Sequence, residues 1–107
     1  MKVGFSDKEL ESLILEGRSK KYKRILRNKS LFSGLVYAYN IMCIEKCTAD
    51  LKKYSYLHYE KLKYNYSGYS SVRIKNNSIE RLIFTEDQAG ITIDLIQLED
   101  QHYGNKK

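Results

Sequence analysis

Residues 69–98 read YSSVRIKNNSIERLIFTEDQAGITIDLIQL, and this stretch decides the fold. From Tyr69 to Lys75 apolar and polar side chains alternate, with Val72 and Ile74 on one face and Ser71 and Arg73 on the other. A period of two marks a strand with one buried face. Asn76-Asn77-Ser78 is a turn signal, and Ile79–Thr85 reads as the next strand. Asp87-Gln88-Ala89-Gly90 turns the chain again, and Ile91–Leu98 is a third strand rich in β-branched residues. Turns this short join antiparallel neighbours, so the stretch predicts a three-stranded meander.

Upstream the period changes. Lys2–Phe5 reads as a short strand. Ser6 and Glu9 then have the spacing of a capping box, with Phe5 and Leu10 at staple positions. Leu10, Leu13 and Ile14 form one helical stripe that ends at Gly17. A second helix is expected over Ser30–Lys46, where Leu31, Leu35, Tyr39 and Met42 recur on one face. Between the helices, Arg18–Lys29 holds seven Lys or Arg residues and no acid. Cys47–Tyr66 is rich in Tyr and Lys without a clean period and predicts an irregular segment with one helical turn. The expected fold is α+β: a short N-terminal strand, then a helical hairpin packed on one face of an antiparallel sheet. The sheet's other face would stay open to solvent or ligand.

At 107 residues this is one domain. Hydrophobic residues at 42% and charged residues at 30% fit a globular chain rather than a disordered one. The net charge of +6 and pI near 9.3 favour phosphate backbones, anionic surfaces or acidic partners. No apolar run is long enough to span a membrane, and the first residues lack a signal-peptide core, so a cytoplasmic protein is expected. Cys43 and Cys47 stand four apart with no histidine close in sequence. They read as small helix residues rather than half of a zinc site. No metal or cofactor is expected.

The order of elements, together with Leu62-Lys63, Tyr69-Ser70-Ser71-Val72-Arg73-Ile74, Arg81-Leu82-Ile83-Phe84 and His102-Tyr103-Gly104, resembles the RelE/ParE toxin superfamily, and within it the HigB-like branch of plasmid-maintenance killer proteins. The motif likeness covers mainly residues 58–104; the helical hairpin matches in order and length. Gln101 stands where some members carry Tyr, and Lys61 and Lys63 both fit the family's lysine position. The resemblance implies a ribosome-dependent endoribonuclease that cuts messenger RNA without a metal. The 2′-hydroxyl would attack its own adjacent phosphate. A co-encoded antitoxin, in this branch often a helix-turn-helix protein, would be the partner.

That reaction needs a base for the 2′-hydroxyl proton, cations at the phosphate and an acid for the leaving oxygen. Arg73 is the phosphate-binding candidate, because a guanidinium fork matches a phosphate and strand parity turns it from Val72 and Ile74. His102 is the acid or base candidate, since its intrinsic pKa lies near working pH. His58, Lys61 and Lys63 are the further catalytic candidates. Tyr103, Arg81, Tyr59, Tyr64, Lys20, Lys21 and Lys23 are candidates for RNA binding, because rings stack on bases and cations track phosphates. Each has a plainer alternative: a solvated strand arginine, a terminal histidine, a tyrosine covering the core edge, or lysines that solubilise a helix. Two other functions compete. One is a ParE-like toxin that occupies gyrase; the other is a non-catalytic RNA-binding protein of the same fold.

Overall fold

The computed structural model describes residues 1–99. The chain begins with β1 (Lys2–Phe5) and enters α1 (Lys8–Glu16) through Asp7. Asp7 caps the helix: its Oδ1 accepts from the backbone N–H groups of Glu9 and Leu10 at 2.9 and 3.2 Å. The expected box on Ser6 and Glu9 does not form. Ser6 gives its hydroxyl to Asp94, and its N–H goes to Leu95 O. Glu9 is drawn to the following loop, accepting from Ser19 Oγ at 2.7 Å and from the N–H groups of Lys20 and Lys21. Phe5 packs its ring on Tyr39 and lies against the core cluster that includes Leu10. Gly17 closes α1 in the left-handed region at φ 70°, and Arg18 N–H reaches back to Ser12 O. Glycine takes that conformation without a Cβ penalty.

Part of the basic run is helical, as α2 (Lys23–Arg27). The second expected helix is α3 (Lys29–Ile44), capped by Asn28. Gly34 lets α3 approach the sheet closely: a Cβ there would lie 1.9 Å from Ile74 O. Between α3 and the meander the chain makes 3-10 turns at Thr48–Lys53, Ser55–Leu57 and Tyr64–Tyr66, with the two-residue strand β2 (Glu60–Lys61) among them.

The meander forms as expected from β3 (Ser70–Arg73), β4 (Arg81–Glu86) and β5 (Thr92–Glu99), all antiparallel. The sheet order is β1-β5-β4-β3-β2. β1 joins the edge parallel to β5, so the whole sheet is mixed rather than purely antiparallel. The chain can do this because α1, α2 and α3 lie between β1 and the meander, and parallel neighbours need such a crossover. A bulge falls between Ile83 and Phe84.

One apolar core joins Leu10, Leu13, Ile25, Leu35 and Met42 of the helices to Val72, Leu82, Phe84, Leu95 and Leu98 of the sheet. Tyr22 spans this core. Its hydroxyl donates to Asp7 Oδ2 at 2.7 Å and accepts from Leu98 N–H at 3.2 Å, and burial pushes it up to about 12. One side chain thus ties the start of α1 to the last strand.

Candidate active site

Side chains of directly paired residues lie on the same face of a sheet. The face turned from the core therefore carries two rows. Arg73, Arg81 and Glu99 are paired across β3, β4 and β5. Glu60, Ser71, Ile83 and Gln97 form the neighbouring row across β2 to β5. This face is not fully open as the sequence predicts: Ser71, Ile83 and Glu99 are buried, and Tyr66 reaches over it to Glu99.

Arg81 is the centre of the arrangement. Its Nε and Nη2 both donate to Glu99 Oε1, at 2.9 and 2.5 Å. Its Nη1 lies 3.9 Å from Glu60 Oε2, across the row. Arg73 Nη1 donates to the Ser78 carbonyl, which fixes the guanidinium beside the β3–β4 turn. Two guanidinium groups and an exposed carboxylate thus share one sheet face, with Arg81 within ion-pair reach of Glu60 and Arg73 on the neighbouring strand. The arrangement can hold a phosphodiester between the cations with a proton acceptor beside it.

The sequence candidates separate in space. Arg73 and Arg81 come together here. Lys61 does not join them: it pairs with Ser70, so parity turns it toward the other side, where it lines a cleft with Glu86. His58 is exposed and sits in the left-handed region at φ 48° after a 3-10 turn. Lys63 is exposed and precedes the last such turn. Tyr64 is 92% exposed, at φ 57°. Tyr59 stacks on Phe84 and donates to Glu86 at 2.6 Å, so its ring and hydroxyl are engaged with the fold. Lys20 and Lys23 are exposed, whereas Lys21 pairs with Asp7 at 2.9 Å. His102 and Tyr103 lie outside the described residues.

Three site residues escape a reading of the sequence: Glu60, Glu99 and Tyr66. Glu60 sits on a strand of two residues, too short to show a period, and Lys61 and Lys63 beside it match the family's lysine element. Glu99 lies one residue past the alternating run and stands opposite Arg81 only because the bulge resets the register of β5.

A second polar cluster sits on the other side of β2. Glu86 accepts hydroxyl hydrogens from Thr48, Tyr59 and Ser70, each at 2.6 Å. Burial works to raise the Glu86 carboxyl, but the three hydroxyls and Lys61 outweigh it and hold it below its ordinary value. The cleft beside it, about 490 Å³, is also lined by Lys52 and Gly90. Glu86 bolts a 3-10 turn, the approach to β2 and β3 to the end of β4. Among the described residues no group of three or more His, Cys, Asp or Glu side chains gathers as a metal site, and no helix is long and apolar enough to cross a membrane.

No protein-family model matches the chain, and no curated protein sequence does. Solved structures do match. A YoeB/ParE toxin from Agrobacterium tumefaciens superposes with a TM-score of 0.52 at 16% identity, covering 95% of this chain and 100% of that one. A YoeB dimer from Staphylococcus aureus gives 0.50 at 22% identity, with 95% and 98% coverage. The YoeB–YefM toxin–antitoxin heterotetramer from the same organism gives 0.48 at 21%, with 95% and 98% coverage. The chain has the α+β fold of the YoeB/ParE-type toxins.

Proposed function

We propose that the protein is the toxin of a type II toxin–antitoxin pair and cleaves messenger RNA on the ribosome without a metal. One observation carries this reading: Arg73 and Arg81 are paired across β3 and β4, with the exposed carboxylate of Glu60 beside Arg81. The toxin fold and the sequence motifs agree with it. The HigB-like branch rests on the motifs alone.

In this mechanism Glu60 takes the proton of an RNA 2′-hydroxyl. The 2′-oxygen bonds to the adjacent phosphorus and the bond from phosphorus to the 5′-oxygen breaks. Arg81 Nη1 and the Arg73 guanidinium stabilise the charge gathering on the phosphate, and His102 protonates the leaving 5′-oxygen. The products are a 2′,3′-cyclic phosphate and a 5′-hydroxyl. Tyr64 offers an exposed ring for a base to stack on. Lys20 and Lys23 add sequence-independent attraction to ribosomal RNA. A co-encoded antitoxin, expected from the family resemblance to carry a helix-turn-helix, would hold the toxin in check.

Controlled expression followed by mapping of RNA 5′ ends tests the proposal. New 5′-hydroxyl ends within translated coding sequence are expected. Growth arrest without new RNA ends, accompanied by gyrase-dependent DNA breaks, would favour the ParE-like reading.

A further inference from the structure

We propose that Glu99 is a positioning residue that sets the aim of Arg81, and this rests on the reading of the site given above. Arg81 ends in a long flexible side chain, and a phosphate clamp needs its fork held before substrate arrives. Glu99 is 3% exposed at the end of β5, directly opposite Arg81 in the ladder. Both Arg81 bonds, from Nε and Nη2, go to the same oxygen, Oε1. They occupy one edge of the guanidinium plane. The Nη1 group is left directed toward the Glu60 side, where the phosphate would sit.

The second oxygen of Glu99 is also used. Tyr66 Oη donates to Oε2 at 3.2 Å. Tyr66 closes the 3-10 turn that begins at the exposed Tyr64. One buried carboxylate therefore orients the phosphate-binding arginine and anchors the turn that carries a base-stacking ring. Glu99 touches no reacting atom in this scheme; it acts through Arg81.

Because a single oxygen receives both bonds, the side-chain carbonyl of glutamine can replace it, whereas aspartate keeps the charge and withdraws the oxygen by one methylene. Glu99→Gln and Glu99→Asp therefore separate aim from charge. The experiment is single-turnover cleavage of an mRNA bound to purified ribosomes, with enzyme varied to saturation. Positioning predicts that Glu99→Gln stays within about threefold of wild type, while Glu99→Asp loses about tenfold or more in the saturating rate with little change in half-saturation. In an Arg81→Ala background, Glu99→Asp should have no further effect. The Arg81 Nε–H resonance should exchange slowly in wild type and Glu99→Gln and rapidly in Glu99→Asp. The reverse order, with Glu99→Asp the more active, overturns the proposal in favour of charge balance. Multiplicative losses with Arg81→Ala overturn it in favour of a general structural role. A wild-type protein that cuts no RNA refutes the reading of the site, whereas an Arg81 Nε–H that exchanges equally fast in all three proteins refutes the anchoring itself.

Discussion

Arg73 on β3 and Arg81 on β4 are directly paired, so two positive charges face each other across one rung of the sheet. Like charges opposite one another weaken a sheet by roughly 0.2–1 kcal/mol. Glu99 offsets Arg81, and the Ser78 carbonyl takes an N–H of Arg73. Under the proposed function, such a pair trades some stability for a place to hold an anion. Arg73→Gln should therefore leave stability within about 1 kcal/mol, while lowering the cleavage rate by about 10²–10³, the range for removing one transition-state hydrogen-bond donor. Urea unfolding and single-turnover cleavage check the two halves.

The helix α3 and the sheet are held close by Gly34. Glycine to alanine normally stabilises a helix interior by about 1 kcal/mol. Here the new methyl would lie 1.9 Å from Ile74 O, which is backbone and cannot swing away. Overpacking of this kind costs roughly 1–3 kcal/mol. The clash should win, so Gly34→Ala should lower the urea midpoint; a higher midpoint would show that α3 is free to shift.

The elements of this fold differ in how far the sequence reveals them. The meander is legible because Val72 and Ile74 alternate with Ser71, Arg73 and Lys75, and because short turn signals separate three apolar runs. The cap of α1 is not. Ser6 and Asp7 can both cap, and Glu9 is claimed by Ser19, Lys20 and Lys21, ten to twelve residues on. The parallel pairing of β1 with β5 is a contact across some ninety residues that no local pattern encodes. Arg73 can be placed from parity, but Arg81 cannot, because Ile79 and Ile83 share its parity and Ile83 is buried on the arginine face, outside the main core. Glu60 and Tyr66 sit among short 3-10 turns, which repeat too briefly to leave a signal.

Acid should loosen the fold through two carboxylates. Burial works to raise Asp7, but hydrogen bonds from Lys21, Tyr22 and Leu10 N–H outweigh it, and its pKa falls below the ordinary value. Glu86 is lowered in the same sense by its hydroxyl partners. A carboxylate whose folded pKa is depressed adds stability above its unfolded value, about 4, and loses it as pH falls through the lower folded one. Unfolding free energy should thus drop as pH falls below about 4, and Glu86→Gln should flatten that drop. An unchanged slope would mean that Glu86 titrates alike in both states.

The basic run offers a test of ribosome binding. Lys21 holds Asp7, so neutralising it would disturb the fold. Lys20→Gln with Lys23→Gln leaves that pair intact. Each lysine that neutralises a phosphate releases counterions, so the salt dependence of ribosome binding should flatten in the double variant. A slope equal to that of wild type would assign this run to solubility.

His102 is proposed as the acid for the 5′-oxygen. His102→Gln should lower the saturating rate by about 10²–10⁴, with RNA and antitoxin binding retained. A substrate with an activated 5′-leaving group should recover most of that loss, because a good leaving group needs no proton. A failure of that substrate to recover the rate would remove His102 from the acid role.

The sheet face built from Glu60, Arg73 and Arg81 is proposed to carry out RNA cleavage. The most direct measurement is single-turnover cleavage of ribosome-bound mRNA by Glu60→Gln, with thermal melting as the folding control. Glu60 is 59% exposed on its side chain, so the variant should fold as wild type does. A rate lowered by about 10²–10⁴ is expected, with mRNA and ribosome binding retained. A folded Glu60→Gln protein that cleaves at the wild-type rate would contradict the proposal.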